Sequence, residues 1–292
     1  MHWLFEPGLF SSQPVRQAAL IGIPVAIVSA VVGMFTAIRG QSFAGHSLSD
    51  VSTAGGSGAF LAGINPIFGF VGGGVVGAGA MEMLGIRNAR RRDLATGIVL
   101  GASMGLAALF LYLGTTDTST TGASQQILFG SIFSPQSSTL PIVVVFSVAC
   151  IAIMAIIQRP LLLSSVNVDI ASAHGVPVRA IGALYMLALA LAVGLSSLAI
   201  GAILSTALLI GPAAIALRVS ARLATAAVWA CVIGVSATLA GIVLAYDSYY
   251  WSQSHASWPV SFFIVTLVFL GYVATEIKRT PCEKGSGCSQ DS

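Results

Sequence analysis

The stretch AIGALYMLALALAVGLSSLAIGAILSTALLIGPAAIAL, residues 180–217, decides the fold class of this protein. It runs for 38 residues without a charged side chain. A single helix of that length would extend for about 57 Å, almost twice the hydrocarbon thickness of a bilayer. We therefore predict that the stretch folds back near Ser196–Gly201 and forms two membrane spans.

The composition of the whole chain also indicates a membrane protein. The 292 residues are 56% hydrophobic and only 8% charged, with a mean hydropathy of +0.91. A soluble domain carries about a quarter charged residues, so this chain has too few charges to cover a water-facing surface. The formal net charge of +3 does not indicate nucleic-acid binding, because the basic residues form short clusters between apolar runs.

Other apolar runs predict six further spans, which gives eight with the pair in 180–217. They lie near 17–38, 64–86, 94–114, 139–158, 223–246 and 258–277. The segment 42–62 is too polar for hydropathy to identify. If it also crosses, the amino terminus lies outside and every Lys and Arg except Arg16 falls in the cytoplasm, as the positive-inside rule requires. We predict an all-α polytopic transmembrane helix bundle of about eight or nine spans, with nine favoured by charge.

The chain reads as one transmembrane domain over 1–280, followed by a polar tail at 281–292. The tail is rich in Gly and Ser, and we expect it to be disordered and cytoplasmic; it contains Cys282 and Cys288, whose role the sequence leaves open.

Glycine spacing predicts close contacts between helices. Gly97, Gly101 and Gly105 recur at intervals of four, and Gly73 and Gly77 repeat the pattern. Such faces let helix backbones approach closely in a membrane.

The polar segment 42–62 contains His46 and Asp50, four residues apart and therefore on one helix face. Ionisable groups at membrane depth are costly and usually face a polar path or one another. Imidazole nitrogen and carboxylate oxygen are also ligands for zinc, manganese or iron. The pair alone leaves two interpretations open: a hydrogen bond that locks two helices together, or the handling of a metal ion or protons.

The chain carries no nucleotide site of the P-loop type. No Gly-rich loop ends in Gly-Lys-Ser/Thr, and the only lysines are Lys278 and Lys284. We therefore predict that the chain is not an enzyme. If ATP drives its activity, a partner ATPase subunit must hydrolyse it.

Five patches in a fixed order connect these observations to a known family. They are RGQSFAGHSLSD at 39–50 followed by Gly55, DLATGI at 93–98, LFGSI at 128–132, NVDIASAHGVP at 167–177 and IGAILSTALLIGPAAIA at 200–216. With these patches spread over nearly its whole length, the chain resembles the membrane subunits of bacterial ABC importers for zinc, manganese and iron.

The resemblance implies an ABC metal-importer permease fold in the bacterial plasma (inner) membrane. It implies a homodimer with two copies of a cytoplasmic ABC ATPase and an extracytoplasmic metal-binding protein. The transported divalent metal, zinc, manganese or iron, is cargo, and no permanently bound cofactor is expected.

The resemblance also assigns roles to residues. In the family, an acidic residue and a histidine four apart on the second span line the metal path, and His46 and Asp50 present the same two ligands in reversed order. A cytoplasmic loop is expected to dock on the ATPase. Its candidate residues are Asn167, Asp169, Ala171, Ala173, Gly175 and Pro177.

Two other functions compete with this interpretation. A secondary metal transporter driven by protons would use His46 and Asp50 as a proton relay. An ABC permease for a metal chelate, of the siderophore or cobalamin type, would need a wide cavity and no His–Asp pair in the membrane.

Overall fold

A computed structural model describes most of the chain, including nearly all of the predicted spans. The described residues are 12–83, 89–117, 127–130, 132–133, 139–251 and 258–283. They form ten helices and no strand, which confirms the all-α prediction. The helices are α1 (Gln13–Ile38), α2 (Ser42–Leu61), α3 (Pro66–Met83), α4 (Ala89–Asp117), α5 (Thr139–Val166), α6 (Val168–Ala173), α7 (Val178–Ile200), α8 (Ser205–Val219), α9 (Leu223–Trp251) and α10 (Val260–Glu283).

Seven of these helices are long and apolar enough to cross a membrane, namely α1, α3, α4, α5, α7, α9 and α10. Helix α2 has 20 residues, a length of about 30 Å that matches a bilayer core, but it is too polar to count among the seven. Helix α8 is apolar and has 15 residues. With α2 and α8 the described residues hold nine helices of 15 residues or more, which is roughly consistent with the predicted eight or nine spans.

The long apolar stretch breaks where the sequence predicted. Helix α7 ends at Ile200, and α8 begins at Ser205. Gly201 lies between them with φ +89°, a left-handed conformation that favours glycine. Ser49 of α2 bonds to Ser197 before the break and to Ser205 after it, so the chain folds back on itself at Gly201.

Helix α2 lies inside the bundle, packed against α3, α4 and α7. Its crossing with α3 has almost no side chains in it. A Cβ on Gly69 would overlap the carbonyl oxygen of Gly55, and a Cβ on Gly73 would lie 2.7 Å from the carbonyl oxygen of Val51. A Cβ on Gly77 would lie 2.9 Å from the Val51 side chain, so the close contact predicted for Gly73 and Gly77 is confirmed.

The matching prediction for α4 is wrong within this chain. No atom of the described residues lies within 4 Å of the position that a Cβ would take on Gly97, Gly101 or Gly105. Helix α4 packs chiefly against α2, and its glycine face points away from that contact. The tail predicted at 281–292 begins within α10, which ends at Glu283; residues 284–292 fall outside the described residues, and their part of the tail stays a prediction.

Candidate metal-ion site

His46 and Asp50 lie one turn apart on α2, and both side chains are half-buried. Side chains four residues apart on a helix are neighbours, with Cβ atoms about 5–6 Å apart. Among the described residues, no group of three or more His, Cys, Asp or Glu side chains could hold a metal ion. One chain therefore offers one imidazole and one carboxylate here, fewer ligands than the four to six that zinc or manganese usually takes.

The imidazole of His46 has a partner on another helix. Its Nδ1 lies 3.1 Å from the hydroxyl oxygen of Thr206, the second residue of α8. Thr206 is not among the residues that the sequence pattern singled out. The available signal was its position, since Ser205 and Thr206 are the first hydroxyl residues after the glycine that ends α7.

A buried cluster of hydroxyl groups lies beside this contact. The Oγ of Ser49 is 2.6 Å from the Oγ of Ser205 and 3.2 Å from that of Ser197, and it donates to the carbonyl oxygen of Ala202 at 3.0 Å. All three serine side chains are at most 1% exposed. The cluster ties α2 to both sides of the break between α7 and α8.

Other hydroxyls of α2 bond to their own helix. Ser47 donates to the carbonyl of Ala44, and Thr53 donates to the carbonyl of Ser49. Such local bonds satisfy polar groups where water is absent. They explain how a segment as polar as 42–62 is accommodated inside the bundle.

A second set of contacts between helices lies at the turn from α1 to α2, close to the start of α2. The guanidinium of Arg39, just after α1, lies over the ring of Tyr185, 5.1 Å from its centroid. It also lies 3.4 Å from the Oγ of Ser164 on α5. The Tyr185 hydroxyl donates to Thr36 Oγ1 at 2.9 Å. These contacts join α1, α5 and α7 beside the short helix α6.

The six loop residues singled out in the sequence all lie in or next to α6. The Asn167 side chain accepts hydrogen bonds from the backbone amides of Asp169 and Ile170 and so caps the helix. Ala171 is fully buried and anchors α6 to the bundle. The other five, Asn167, Asp169, Ala173, Gly175 and Pro177, are exposed. The helix therefore presents a small protruding surface.

Comparison with known proteins gives a consistent result for sequence and fold. The sequence model of the ABC 3 transport family matches residues 11–276. The chain is 29% identical over 191 residues to the manganese transport system membrane protein MntC of Listeria innocua, a match covering 64% of this chain and 66% of that protein. It is 30% identical over 188 residues to MntC of Halalkalibacterium halodurans, covering 64% and 63%. Each alignment thus spans just under two thirds of the relative's length.

The fold resembles that of a solved structure over most of its length. The structure of PsaBC from Streptococcus pneumoniae in complex with Fab superimposes with a TM-score of 0.78 at 24% identity, covering 92% of each chain. At this identity the likeness establishes the fold, a polytopic bundle in which both α2 and α8 take part.

Proposed function

This chain belongs to the ABC 3 transport family, and from this premise we propose that it is the permease subunit of an ATP-driven importer for divalent transition-metal ions. The observation that carries the proposal is the placement of His46 and Asp50 side by side on α2, inside the bundle. An imidazole and a carboxylate at membrane depth are energetically costly unless they line an ion pathway or pair with another polar group.

The proposed cargo is manganese, zinc or iron, and the names of the MntC relatives favour manganese. Two ligands from one chain bind an ion weakly, which suits a path that must accept the ion and then release it. In a homodimer, two His46–Asp50 pairs would bring four ligands to one path. Two ATPase subunits would drive the change between outward and inward states, and an extracytoplasmic binding protein would deliver the ion.

Substitution of the two ligands tests this proposal. We expect Asp50→Ala and His46→Ala each to reduce metal uptake at least ten-fold in cells that co-express the partner ATPase under manganese or zinc limitation. Glu82→Gln is the matched control, because Glu82 is an exposed acid at the end of α3 and should leave uptake near the wild-type level. Equal membrane levels of all variants would show that the bundle still assembles.

Each other outcome identifies a different function. Normal uptake by Asp50→Ala would reject the ligand role. Uptake that survives an inactive ATPase and stops when the proton gradient is dissipated would instead establish a proton-driven transporter. Uptake of a metal chelate but not of the free ion would favour the chelate permease.

We also propose that the exposed surface of α6 docks on the ATPase. Its buried Ala171 and capped amino end hold it rigidly against the bundle, so a push on α6 is transmitted to α5 and α7. Ala173→Glu should reduce co-purification of the ATPase with the permease. Ala221→Glu is the matched control, because Ala221 is an exposed alanine in the turn between α8 and α9. Equal loss in both variants would contradict a specific role for α6.

A further inference from the structure

The contact between His46 and Thr206 affects which ring nitrogen of His46 is available to bind a metal ion. A neutral imidazole carries its proton on one ring nitrogen and offers a lone pair on the other. Only the deprotonated nitrogen can bind a metal ion. The Nδ1 of His46 lies 3.1 Å from the Thr206 hydroxyl oxygen, so this hydroxyl can determine which nitrogen carries the proton.

We propose that Thr206 is a positioning residue that accepts the Nδ1–H of His46 and keeps the Nε2 lone pair free for the arriving cation. The inference rests on the proposed function of His46 as a metal ligand and adds a residue from a different helix to that site. Histidine ligands in proteins usually donate their second ring N–H to a carboxylate, a backbone carbonyl or water, which fixes both tautomer and ring orientation; here the Thr206 hydroxyl oxygen takes that place.

The surroundings of Thr206 hold it in place. Its neighbour Ser205 is bonded to Ser49 at 2.6 Å, and Ser49 follows His46 by three residues, on the same side of α2. Two successive residues of α8 are therefore joined to two neighbouring positions of α2.

A glycine allows the two helices to come this close. A Cβ on Gly45 would lie only 3.1 Å from the Leu209 side chain of α8. A larger side chain at Gly45, one residue before His46, would press on Leu209 at this contact between α2 and α8. The tautomer of His46 is thus fixed only while α2 and α8 stay in contact.

The first test observes the imidazole directly, without transport. Nitrogen-15 NMR of the purified full-length chain in detergent, labelled at histidine and recorded near pH 8, reports which ring nitrogen carries the proton. The chain has four histidines, so His46→Gln assigns the signal. We expect the Nδ1–H form in the wild type and in Thr206→Ser, and loss of this preference in Thr206→Val.

The second test measures uptake. Thr206→Val should raise the KM for the metal about ten-fold or more, the scale seen when a partner of a ligating histidine is removed. Thr206→Ser keeps the hydroxyl and should restore a KM close to that of the wild type. Thr53→Val is the matched control, because it removes a buried hydroxyl that, among the described residues, bonds within α2 alone, and it should leave KM unchanged.

The outcomes separate this inference from the proposed function. An Nε2–H signal for His46 in the wild type, or an unchanged KM in Thr206→Val while His46→Ala abolishes uptake, would overturn the role of Thr206 and leave the transport function intact. Unchanged uptake in His46→Ala would remove the ligand role itself.

Discussion

Helices α2 and α4 pack against each other but differ in how they are surrounded. Helix α2 is polar and enclosed, and it crosses α3 at glycines that leave no room for a Cβ. Helix α4 is apolar and largely uncovered, with Ile98 74% and Met104 64% exposed. A Cβ on Gly97, Gly101 or Gly105 would have no neighbour within 4 Å in the described part of this chain. Glycines spaced four apart therefore show that a helix face could pack closely against another helix. They do not show that another helix lies against that face.

The polar content of a membrane helix predicts its surroundings better than the spacing of its small residues does. A helix with His46, Asp50 and many hydroxyls cannot face lipid, because each unpaired polar group would cost free energy there. Enclosure of α2 follows from its sequence. An apolar helix such as α4 is stable against lipid or protein alike, so its sequence does not identify its neighbours.

The largest effect on stability is expected from filling a glycine position at the crossing of α2 and α3. Gly55→Val should prevent stable folding, because its Cβ would overlap the Gly69 carbonyl oxygen and lie 2.9 Å from the Gly73 Cα. Backbone atoms cannot move aside as a side chain can. Gly101→Val is the matched control, with open space at the same position. The yield of monodisperse protein in detergent and its thermal unfolding midpoint measure the difference.

Similar melting of Gly55→Val and the wild type would mean that α2 and α3 do not cross as described. A loss of folded protein in Gly101→Val would show that the α4 face is packed after all.

The sequence predicted the helices and the break between α7 and α8 better than it predicted the contacts between side chains. The break near Ser196–Gly201 followed from length alone, because 38 apolar residues cannot form one span. His46 and Asp50 were singled out because ionisable side chains are energetically costly inside a membrane and are usually paired or functional there. The Thr206 contact could not be predicted, since it joins positions 160 residues apart and depends on how α8 returns along α2.

A smaller effect is expected from removing one hydroxyl of the buried cluster. Ser49→Ala leaves Ser205 and Ser197 without a shared partner and should destabilise the protein by about 1 kcal/mol, the scale of hydrogen bonds between membrane helices. Ser103→Ala is the matched control on α4, because the Ser103 hydroxyl bonds only to the Leu100 carbonyl of its own helix. Reversible unfolding in mixed micelles compares the two variants.

An equal cost for Ser49→Ala and Ser103→Ala would show that the bonds between helices add nothing to bonds within a helix. The enclosed position of α2 would then depend on glycine packing alone.

The smallest effect has the opposite sign. Gly101→Ala adds a methyl group at a position with no described atom within 4 Å, and alanine favours a helix over glycine by up to about 1 kcal/mol. The purified single chain should therefore melt at the same temperature or slightly higher, whereas Gly73→Ala, with backbone 2.7 Å from the new Cβ, should melt lower. If Gly101→Ala instead reduced the mass of the assembled particle measured by light scattering, the open face of α4 would be a contact between subunits. Both helices would then be covered by protein, α2 by its own chain and α4 by another subunit.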